Sequence, residues 1–134
     1  MSANLDLVTT FLGEFGSGSL DTALGMMTDD ADWAIVQTVR GVTMTKAELG
    51  QRLGMMRKAF RDDKLALTPI SHIEDGNRLS VEVESYAKTI LDTVYENRYC
   101  ILFTIEGGKI SDVREYNDSL HVTQVLLPAV AALS

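Results

Sequence analysis

The chain has 134 residues, of which 46% are hydrophobic and 23% are charged, and its formal net charge is −7. This composition predicts a single folded domain over residues 1–134 and excludes a disordered chain. The acidic balance argues against nucleic-acid and anionic-membrane partners, because binding to both depends on Lys and Arg. With one cysteine, no basic and apolar leader, and no apolar run near the roughly 20 residues of a membrane span, a cytoplasmic location is expected.

Helical spacing predicts three helices in the first half of the chain. Gly16 ends the first helix, and Ser19 is a suitable N-cap for a short second helix that ends near Asp29. Thr45 and Glu48 have the spacing of a capping box at the start of the third helix. The apolar stripes are Leu5, Val8, Leu12 and Phe15, then Leu20, Ala23, Leu24 and Met27, and finally Leu49, Leu53, Met56 and Phe60.

Alternating patterns predict one short strand before the third helix and four strands after it. The short strand covers residues 33–37, with Trp33 and Ile35 on one face. Pro69 places the next strand at a sheet edge or at a bulge, because proline cannot donate to the ladder. A final helical turn or two begins at Ser119. The four later strands are predicted over residues 65–72, 79–88, 94–105 and 109–117. This order of elements indicates an α+β domain.

The last two strands are joined through Gly107 and Gly108, and the turn between them decides which side chains meet. A two-residue turn would place Cys100 opposite Glu115. A three-residue loop, with Gly108 in the left-handed bulge position, would instead place Tyr99 opposite Glu115. We prefer the three-residue loop because it separates apolar from polar side chains better. Its other pairs are Ile101 with Val113, Asn97 with Asn117, and Arg98 with Tyr116.

The preferred register predicts one mainly apolar face that carries a carboxylate, a phenol and two amides at one end. On the opposite face, Arg98 is expected to form a cation–π pair with Tyr116. Cys100 also falls on that opposite face, and we interpret it as a small buried hydrophobic residue rather than a nucleophile. The residues of the mainly apolar face are Asn97, Tyr99, Ile101, Phe103, Val113, Glu115 and Asn117.

Four short segments resemble those of a known protein family. They are residues 28–33 (TDDADW), 95–99 (YENRY), 108–110 (GKI) and 114–118 (REYND). They are similar to the start of the first strand and to the closing strands of SnoaL-like proteins. Those proteins belong to the nuclear transport factor 2-like superfamily, with ketosteroid isomerases, limonene epoxide hydrolases and polyketide cyclases. The resemblance implies a cystatin-like curved mixed β-sheet wrapped by three N-terminal helices, a cone with an internal pocket, and a homodimer across the outer sheet face.

The catalytic groups of these relatives are only partly present in the sequence. Ketosteroid isomerases place a carboxylate on the first strand, where this chain offers Trp33 and Ile35. Epoxide hydrolases have Arg-x-Asp where this chain has residues 83–85 (VES). Glu115 corresponds to their remaining carboxylate and to the acidic residue of the cyclases. The resemblance implies a pocket lined by Leu12, Phe15, Trp33, Ile35, Leu53 and Met56, together with the mainly apolar face of the hairpin.

Glu115 is the predicted general acid or base, because apolar walls resist its ionisation and raise its pKa toward the working pH. Tyr99, expected opposite, would hold this carboxylate or donate to a developing oxyanion. Asn97 and Asn117 would orient a carbonyl or hydroxyl group of the substrate. The alternative remains open that Glu115 faces solvent, or that all four side chains only complete a structural hydrogen-bond network.

The sequence predicts neither a metal site nor an organic cofactor. His72 has no second ligand at a suitable spacing, and His121 is interpreted as a surface residue. Asp29, Asp30 and Asp32 lack the glycine and distal glutamate of a calcium loop, so we interpret them as a helix-ending turn. A phosphate-binding glycine loop is also missing from the sequence.

Two functions therefore remain open. The first is a cofactor-independent isomerase, cyclase or hydrolase that uses a pocket carboxylate as general acid or base. Its partner would be a small apolar molecule with an oxygen function. The second is a small-molecule-binding or dimerisation domain that carries out no chemistry.

Overall fold

The computed structural model describes residues 2–38 and 41–134. Its strands are β1 (Met27–Ile35), β2 (Val42–Thr45), β3 (Ala66–Asp75), β4 (Arg78–Lys88), β5 (Val94–Tyr95), β6 (Arg98–Glu106) and β7 (Lys109–Asn117). Its helices are α1 (Ala3–Ser17), α2 (Leu20–Gly25), α3 (Lys46–Arg57), α4 (Ser119–His121) and α5 (Leu127–Ala131). A 3₁₀ turn covers Arg61–Asp63, and a π-helical segment, Val122–Leu126, joins α4 to α5. We refer to residues 119–131 together as the C-terminal helix.

The strands form one mixed sheet in the order β2-β1-β7-β6-β4-β3, with β5 paired to the end of β4. Neighbouring strands are antiparallel except β1 and β7, which run parallel. The predicted α+β class and mixed sheet are therefore confirmed. Within residues 2–38 and 41–134, no helix has the length and apolar character needed to cross a membrane.

The third helix begins where the sequence predicts it, at a capping box. The Thr45 hydroxyl accepts from the Glu48 backbone N–H at 3.2 Å, and the Glu48 carboxylate accepts from the Thr45 N–H at 3.1 Å. The same helix lies close to α2, because a Cβ added to Gly50 would lie 2.9 Å from Leu24 Cδ1. The capping box thus fixes the start of α3, and the close contact at Gly50 packs the helix against α2.

The core lies between α1 and the inner face of the sheet. Phe11 meets Phe103 edge to face at 6.2 Å between ring centroids, and Phe15 stacks on Trp33 at 4.8 Å. The inward side chains of β4 are fully buried, as its alternating pattern predicts: Leu79, Val81 and Val83. Apolar burial between helix and sheet therefore holds the first helix over the hairpin.

The first strand begins earlier than predicted. β1 starts at Met27, which was assigned to the second helix, and ends at Ile35. Pairing of Met27 with Ile110 on β7 supplies backbone hydrogen bonds that outweigh the low strand propensity of the following aspartates. The interpretation of three residues as a helix-ending turn is therefore wrong: Asp29, Asp30 and Asp32 belong to β1. The short strand β2 was not predicted.

Residues 94–105 form two strands, β5 and β6, rather than the one continuous strand predicted. Asn97 lies at the break, where its Oδ1 accepts from the backbone N–H groups of Arg98 at 2.7 Å and Asp118 at 3.1 Å. Because Asp118 is the N-cap of α4, this amide fastens the break to the start of the C-terminal helix. That helix is much longer than the one or two turns predicted.

The β6–β7 hairpin has a two-residue turn, so the predicted three-residue loop is wrong. Gly107 and Gly108 have φ angles of 57° and 77°, the positive values that a type I′ turn needs at both central positions. Ser111 is then an extra residue in β7, since Ile105 pairs with Ile110 and Thr104 with Asp112. The two-residue turn shifts the register by one residue from the prediction, and this bulge shifts it by one more.

Turn and bulge together displace the strand pairs by two residues from the predicted register. Tyr99 pairs with Asn117, and Ile101 pairs with Glu115. The predicted pairs of Tyr99 with Glu115 and of Ile101 with Val113 are therefore wrong. A displacement of two residues keeps every side chain on its predicted side, because side chains alternate with a period of two. The predicted face is formed, but its members meet different partners.

The outer face of the hairpin also differs from the prediction. Arg98 does not meet Tyr116; its Nη2 lies 2.6 Å from Glu84 Oε1, in an ion pair with β4. Cys100 pairs with Tyr116 instead and is exposed rather than buried. The reason is that no element of the described chain covers this side of the sheet at Cys100.

Candidate functional site

A cavity of about 460 Å³ lies between the inner face of the sheet, α1, α3 and the C-terminal helix. Its wall is mainly apolar, and its mouth is marked by the exposed side chains of Arg52 and Met55. Its volume is typical of small-molecule sites, which range from about 300 to 1,000 Å³. The predicted residues that line it are Leu12, Phe15, Trp33, Ile35, Leu53, Met56, Tyr99, Ile101, Glu115 and Asn117.

One carboxylate lies on this wall, held by two hydrogen bonds. Glu115 Oε1 accepts from the indole N–H of Trp33 at 3.0 Å, and its Oε2 accepts from Asn117 Nδ2 at 2.8 Å. Trp33 reaches Glu115 because β1 and β7 are parallel neighbours, and Phe15 stacks on the indole from α1. We call Trp33, Glu115 and Asn117 the carboxylate cluster.

Burial raises the pKa of the Glu115 carboxyl above its usual range, and the hydrogen bonds from Asn117 and Trp33 offset only part of that rise. The physical cause is the poor solvation of a charge against apolar walls. A carboxyl in this state exchanges its proton closer to neutral pH than an exposed one does. It is therefore suited to general acid or base chemistry.

The carboxylate cluster also contains an acceptor without a partner. Asn117 donates through Nδ2 to Glu115, whereas its Oδ1 is the one buried side-chain nitrogen or oxygen atom without a hydrogen bond among the described residues. An unpaired buried acceptor is costly and rare in native proteins. A donor from a bound molecule would satisfy it beside the carboxylate if the Asn117 side chain moved enough to expose this atom.

A second polar group on the same wall is made of phenols. Tyr99 Oη lies 3.0 Å from Tyr95 Oη and donates to Ser85 Oγ at 3.1 Å. Asn97 Nδ2 donates to Tyr95 Oη at 2.8 Å, and the Asn97 backbone N–H donates to Ser85 Oγ. We call Ser85, Tyr95, Asn97 and Tyr99 the phenol cluster. Its atoms satisfy one another, and the predicted contact of Tyr99 with Glu115 is not formed.

Burial raises the pKa of both phenols, Tyr95 and Tyr99, so both stay protonated at neutral pH. Tyr95 was not predicted as a site residue, although it lines the cavity and stacks between Phe60 and His121. It lies on β5, before the break at Asn97, so strand alternation from β6 gives no guide to its direction.

Three predicted pocket residues lie elsewhere. Phe103 and Val113 belong to the hairpin face but are fully buried in the core near the turn, away from the cavity. Asn97 is 3% exposed and is held by the phenol cluster and by Asp118 rather than lining the cavity. Inward direction alone therefore does not place a residue at the cavity.

The sequence-based prediction also missed one whole wall. Four side chains of the C-terminal helix line the cavity: Val122, Leu126, Leu127 and Val130. Three of them recur every four residues, which is the spacing of one helical face. This signal was present in the sequence but lay beyond the one or two turns assigned there. Arg52 and Met55 on α3 were missed because they flank the apolar stripe.

In the part of the chain that the structure describes, no group of three or more His, Cys, Asp or Glu residues is placed to hold a metal ion. His72 is exposed on β3. His121 is not a plain surface residue as predicted: it is partly buried against Tyr95, and its Nε2 accepts from the Glu96 backbone N–H at 3.0 Å.

Solved structures share this architecture over nearly the whole chain. PrhC from Penicillium brasilianum has a TM-score of 0.85 at 15% identity, covering 97% of this chain and 89% of that one. The BvnE pinacolase from Penicillium brevicompactum has a TM-score of 0.83 at 16% identity, covering 98% and 97%. TerC co-crystallised with polyporic acid has a TM-score of 0.79 at 18% identity, covering 94% and 99%. These likenesses confirm the predicted nuclear transport factor 2-like fold.

The sequence itself matches a family model. No curated protein sequence matches the chain. The model of the SnoaL-like domain, however, matches residues 8–113, which include most of α1, all of α2 and α3, and most of the sheet. The chain therefore belongs to the SnoaL-like family.

Proposed function

We propose that this chain binds a small, largely apolar molecule with an oxygen function and that Glu115 transfers a proton to or from it. The reaction would be an isomerisation, cyclisation or hydrolysis without an organic cofactor. The observation that carries the proposal is a carboxylate of raised pKa in an apolar cavity, beside the unpartnered acceptor of Asn117. The pinacolase and the polyporic acid complex among the structural neighbours agree with small-molecule chemistry on this fold.

Electrostatics supports the choice of Glu115. A general base works best when its pKa lies near the operating pH, and desolvation moves a carboxyl in that direction. The hydrogen bonds from Trp33 and Asn117 fix both oxygens without donating a full charge. The carboxylate is thereby oriented while it keeps its raised basicity.

The unpartnered Asn117 Oδ1 supports an orientation for the ligand. After a small shift of the Asn117 side chain that exposes this oxygen, a hydroxyl group that donates to it would lie next to the carboxylate, because Asn117 Nδ2 and Glu115 Oε2 are 2.8 Å apart. The carbon or oxygen that exchanges a proton would then be adjacent to that hydroxyl. The apolar wall would enclose the rest of the molecule.

The proposal can be tested without the natural substrate by using 5-nitrobenzisoxazole, a small aromatic probe of carboxylate bases. A base removes the C3 proton, the N–O bond breaks, and the ring opens to a coloured nitrile-bearing phenolate. We expect wild-type protein to accelerate this reaction and Glu115→Gln to lose at least about 100-fold of the rate. The wild-type rate should rise with pH to a plateau above the raised pKa of Glu115.

Glu106→Gln is the matched control, because Glu106 is an exposed carboxylate at the turn end of the same hairpin. It should leave the rate unchanged. If Glu115→Gln is folded and as active as wild type, or if Glu106→Gln loses as much, the proposed role of Glu115 is wrong.

A second candidate function is binding without chemistry. It is favoured by one observation: the Tyr99 hydroxyl is engaged with Tyr95 and Ser85 rather than with the carboxylate cluster. A site with one isolated acid–base group is suited to sequestration as well as to catalysis. Saturable binding of apolar naphthalene probes, with no acceleration of the benzisoxazole reaction by wild-type protein, would favour this candidate.

We also propose that the chain forms a homodimer in the cytoplasm through the outer face of the sheet. This face carries the exposed rings of Tyr86 and Tyr116 together with Cys100, whose thiol a reducing compartment would keep free. Sedimentation velocity at micromolar protein should give the mass of a dimer, and Tyr116→Glu should shift it to that of a monomer. A monomer mass for wild type would refute the dimer.

A further inference from the structure

Arg52 is the one cationic side chain on the cavity lining within the described ranges, and the proposed function does not use it. It lies on α3 between Leu49 and Leu53, both of which form the cavity wall. The side chain of Arg52 itself is exposed. Its guanidinium is therefore placed at the mouth, at the boundary between the apolar interior and solvent.

Within the described part of the chain, the guanidinium of Arg52 forms no ion pair and no side-chain hydrogen bond, although its charge adds to the capping-box hydrogen bonds in lowering the pKa of Glu48. The ion pairs of residues 2–38 and 41–134 use Lys46, Arg57, Arg61, Arg98 and Arg114, and no side-chain hydrogen bond involves Arg52. Glu48, one helical turn earlier, uses a carboxylate oxygen for the capping box at 3.1 Å. The planar donors of Arg52 thus remain available to a ligand.

The position of this cation is informative because the chain as a whole is acidic, with a formal net charge of −7. The average field repels an anionic ligand, and an ionised Glu115 would repel it again inside the cavity. Arg52 places a positive charge on the cavity lining, at the mouth. An anionic group would therefore be stabilised at the mouth and excluded from the inner end.

We infer that the ligand of this cavity carries an anionic oxygen group, such as a carboxylate, which Arg52 binds at the mouth. The oxygen function that meets Glu115 and Asn117 lies at the opposite end of the same molecule. This inference rests on the proposed function and adds to it a substrate class, an amphipathic acid. It also assigns Arg52 as the residue that sets the direction in which the ligand enters.

Two fluorescent probes with one aromatic skeleton test the inference. 8-Anilinonaphthalene-1-sulfonate carries an anion, and N-phenyl-1-naphthylamine is its neutral counterpart. We expect Arg52→Gln to weaken binding of the sulfonate about three- to fivefold, the effect of one partly exposed charge pair. Binding of the neutral probe should stay the same, and Arg52→Lys should restore most of the sulfonate affinity.

Lys58→Gln is the matched control, since Lys58 is an exposed cation at the end of the same helix and does not line the cavity. It should leave both affinities unchanged. Salt supplies a second readout. Raising NaCl from about 0.02 M to about 0.5 M should weaken sulfonate binding to wild type but not to Arg52→Gln, because screening acts on the charge pair.

The outcomes separate this inference from the function on which it rests. Equal weakening of both probes by Arg52→Gln would mean that the methylene stem covers the cavity wall, and the inference would be overturned. Unchanged sulfonate binding in Arg52→Gln would overturn it too, while loss of benzisoxazole turnover in Glu115→Gln would leave the proposed function standing. If wild type binds neither probe, ligand binding in the cavity fails as well.

Discussion

The carboxylate cluster and the two tyrosines of the phenol cluster line the same cavity, and both clusters are built from similar groups, yet their hydrogen bonding differs. In the phenol cluster, Tyr95 and Tyr99 bond to each other, and Asn97 closes the network. In the carboxylate cluster, Glu115 keeps a raised pKa and Asn117 Oδ1 has no partner. One cluster is saturated and the other is not.

This difference teaches that composition does not separate structural polar groups from reactive ones. Both clusters contain an asparagine and an ionisable side chain, and both lie against apolar neighbours. A saturated network fixes the backbone around it, whereas an unsaturated one keeps capacity for a ligand. Substitutions confined to one cluster at a time can therefore test this difference.

The largest effect should come from Asn97→Ala. Its Oδ1 holds two backbone N–H groups, and its Nδ2 donates to Tyr95 and to the Asp118 carbonyl. Losing this amide leaves buried backbone groups unpaired, so we expect the free energy of unfolding to fall by about 3 kcal/mol. Urea denaturation measures the change.

Asn117→Ala is the matched control, because it makes the same substitution in the carboxylate cluster. It removes one hydrogen bond to Glu115 together with an acceptor that has no partner. The free energy of unfolding should therefore change by less than about 1 kcal/mol. If Asn97→Ala and Asn117→Ala lower the free energy of unfolding equally, the proposed difference between the clusters is wrong.

The next effect is a pH dependence of stability that belongs to Glu115. Its pKa is raised in the folded protein above the ordinary value of 4.5, so the folded state holds the proton more tightly than the unfolded chain. This contribution to stability is complete below the unfolded pKa and is lost as pH rises through the folded pKa. Each unit of difference between the folded and unfolded pKa values corresponds to about 1.4 kcal/mol of stability.

The measurement is urea denaturation of wild type and Glu115→Gln from about pH 5 to about pH 8. The free energy of unfolding of wild type should fall relative to that of Glu115→Gln as the pH rises. Parallel curves of unfolding free energy against pH would show that the Glu115 carboxyl has an ordinary pKa. The contrast between the carboxylate cluster and the phenol cluster would then be wrong.

A smaller effect is expected for Tyr99→Phe, which removes the hydroxyl between Tyr95 and Ser85. Stability should fall by about 1 kcal/mol, the net value of a typical hydrogen bond. The benzisoxazole rate should stay within about twofold of wild type, because this hydroxyl does not contact Glu115. Tyr86→Phe, on the exposed outer face, is the control. A loss of rate comparable to that of Glu115→Gln would place Tyr99 in the chemistry.

The smallest effect concerns the pH–rate profile of Asn117→Ala. The hydrogen bond from Asn117 is the largest influence that lowers the pKa of Glu115, so its removal should raise that pKa. The midpoint of the benzisoxazole profile should move to higher pH while the plateau is retained. Asn77→Ala, which removes a hydrogen bond to the Ile105 backbone carbonyl away from Glu115, should leave the midpoint in place. A lower plateau with an unmoved midpoint would indicate distortion of the cavity instead.

Much of the fold could be predicted because periodicity records burial. The stripe of α1, the capping box of α3 and the alternation of β4 all appear in the structure. The start of β1 was missed because pairing with a distant strand decides it, and local aspartates point the other way. The length of the C-terminal helix was missed although Val122, Leu126 and Val130 recur every four residues; the structure packs them in one cluster with Tyr95.

For the candidate site, the side of the sheet to which each side chain points was predictable, but its cross-strand partner was not. The side on which Glu115 lies follows from alternation, so an inward carboxylate beside Trp33 and Asn117 could be expected. Its cross-strand neighbour on β6 depends on a register that a turn and a bulge set together. A displacement of two residues placed Ile101 rather than Tyr99 opposite Glu115. It paired Tyr99 with Asn117 instead, and no side chain moved to the other face.

The bulge at Ser111 has a consequence for insertions and deletions in this hairpin. Because the bulge absorbs one residue, deleting Ser111 would give a regular ladder in which Val113 and Glu115 still point inward. Deleting Arg114, beyond the bulge, would turn Glu115 to the outside and empty the cavity of its carboxylate. The extra residue at the bulge can therefore be lost without loss of the site, whereas loss of one residue after the bulge reverses the direction of Glu115.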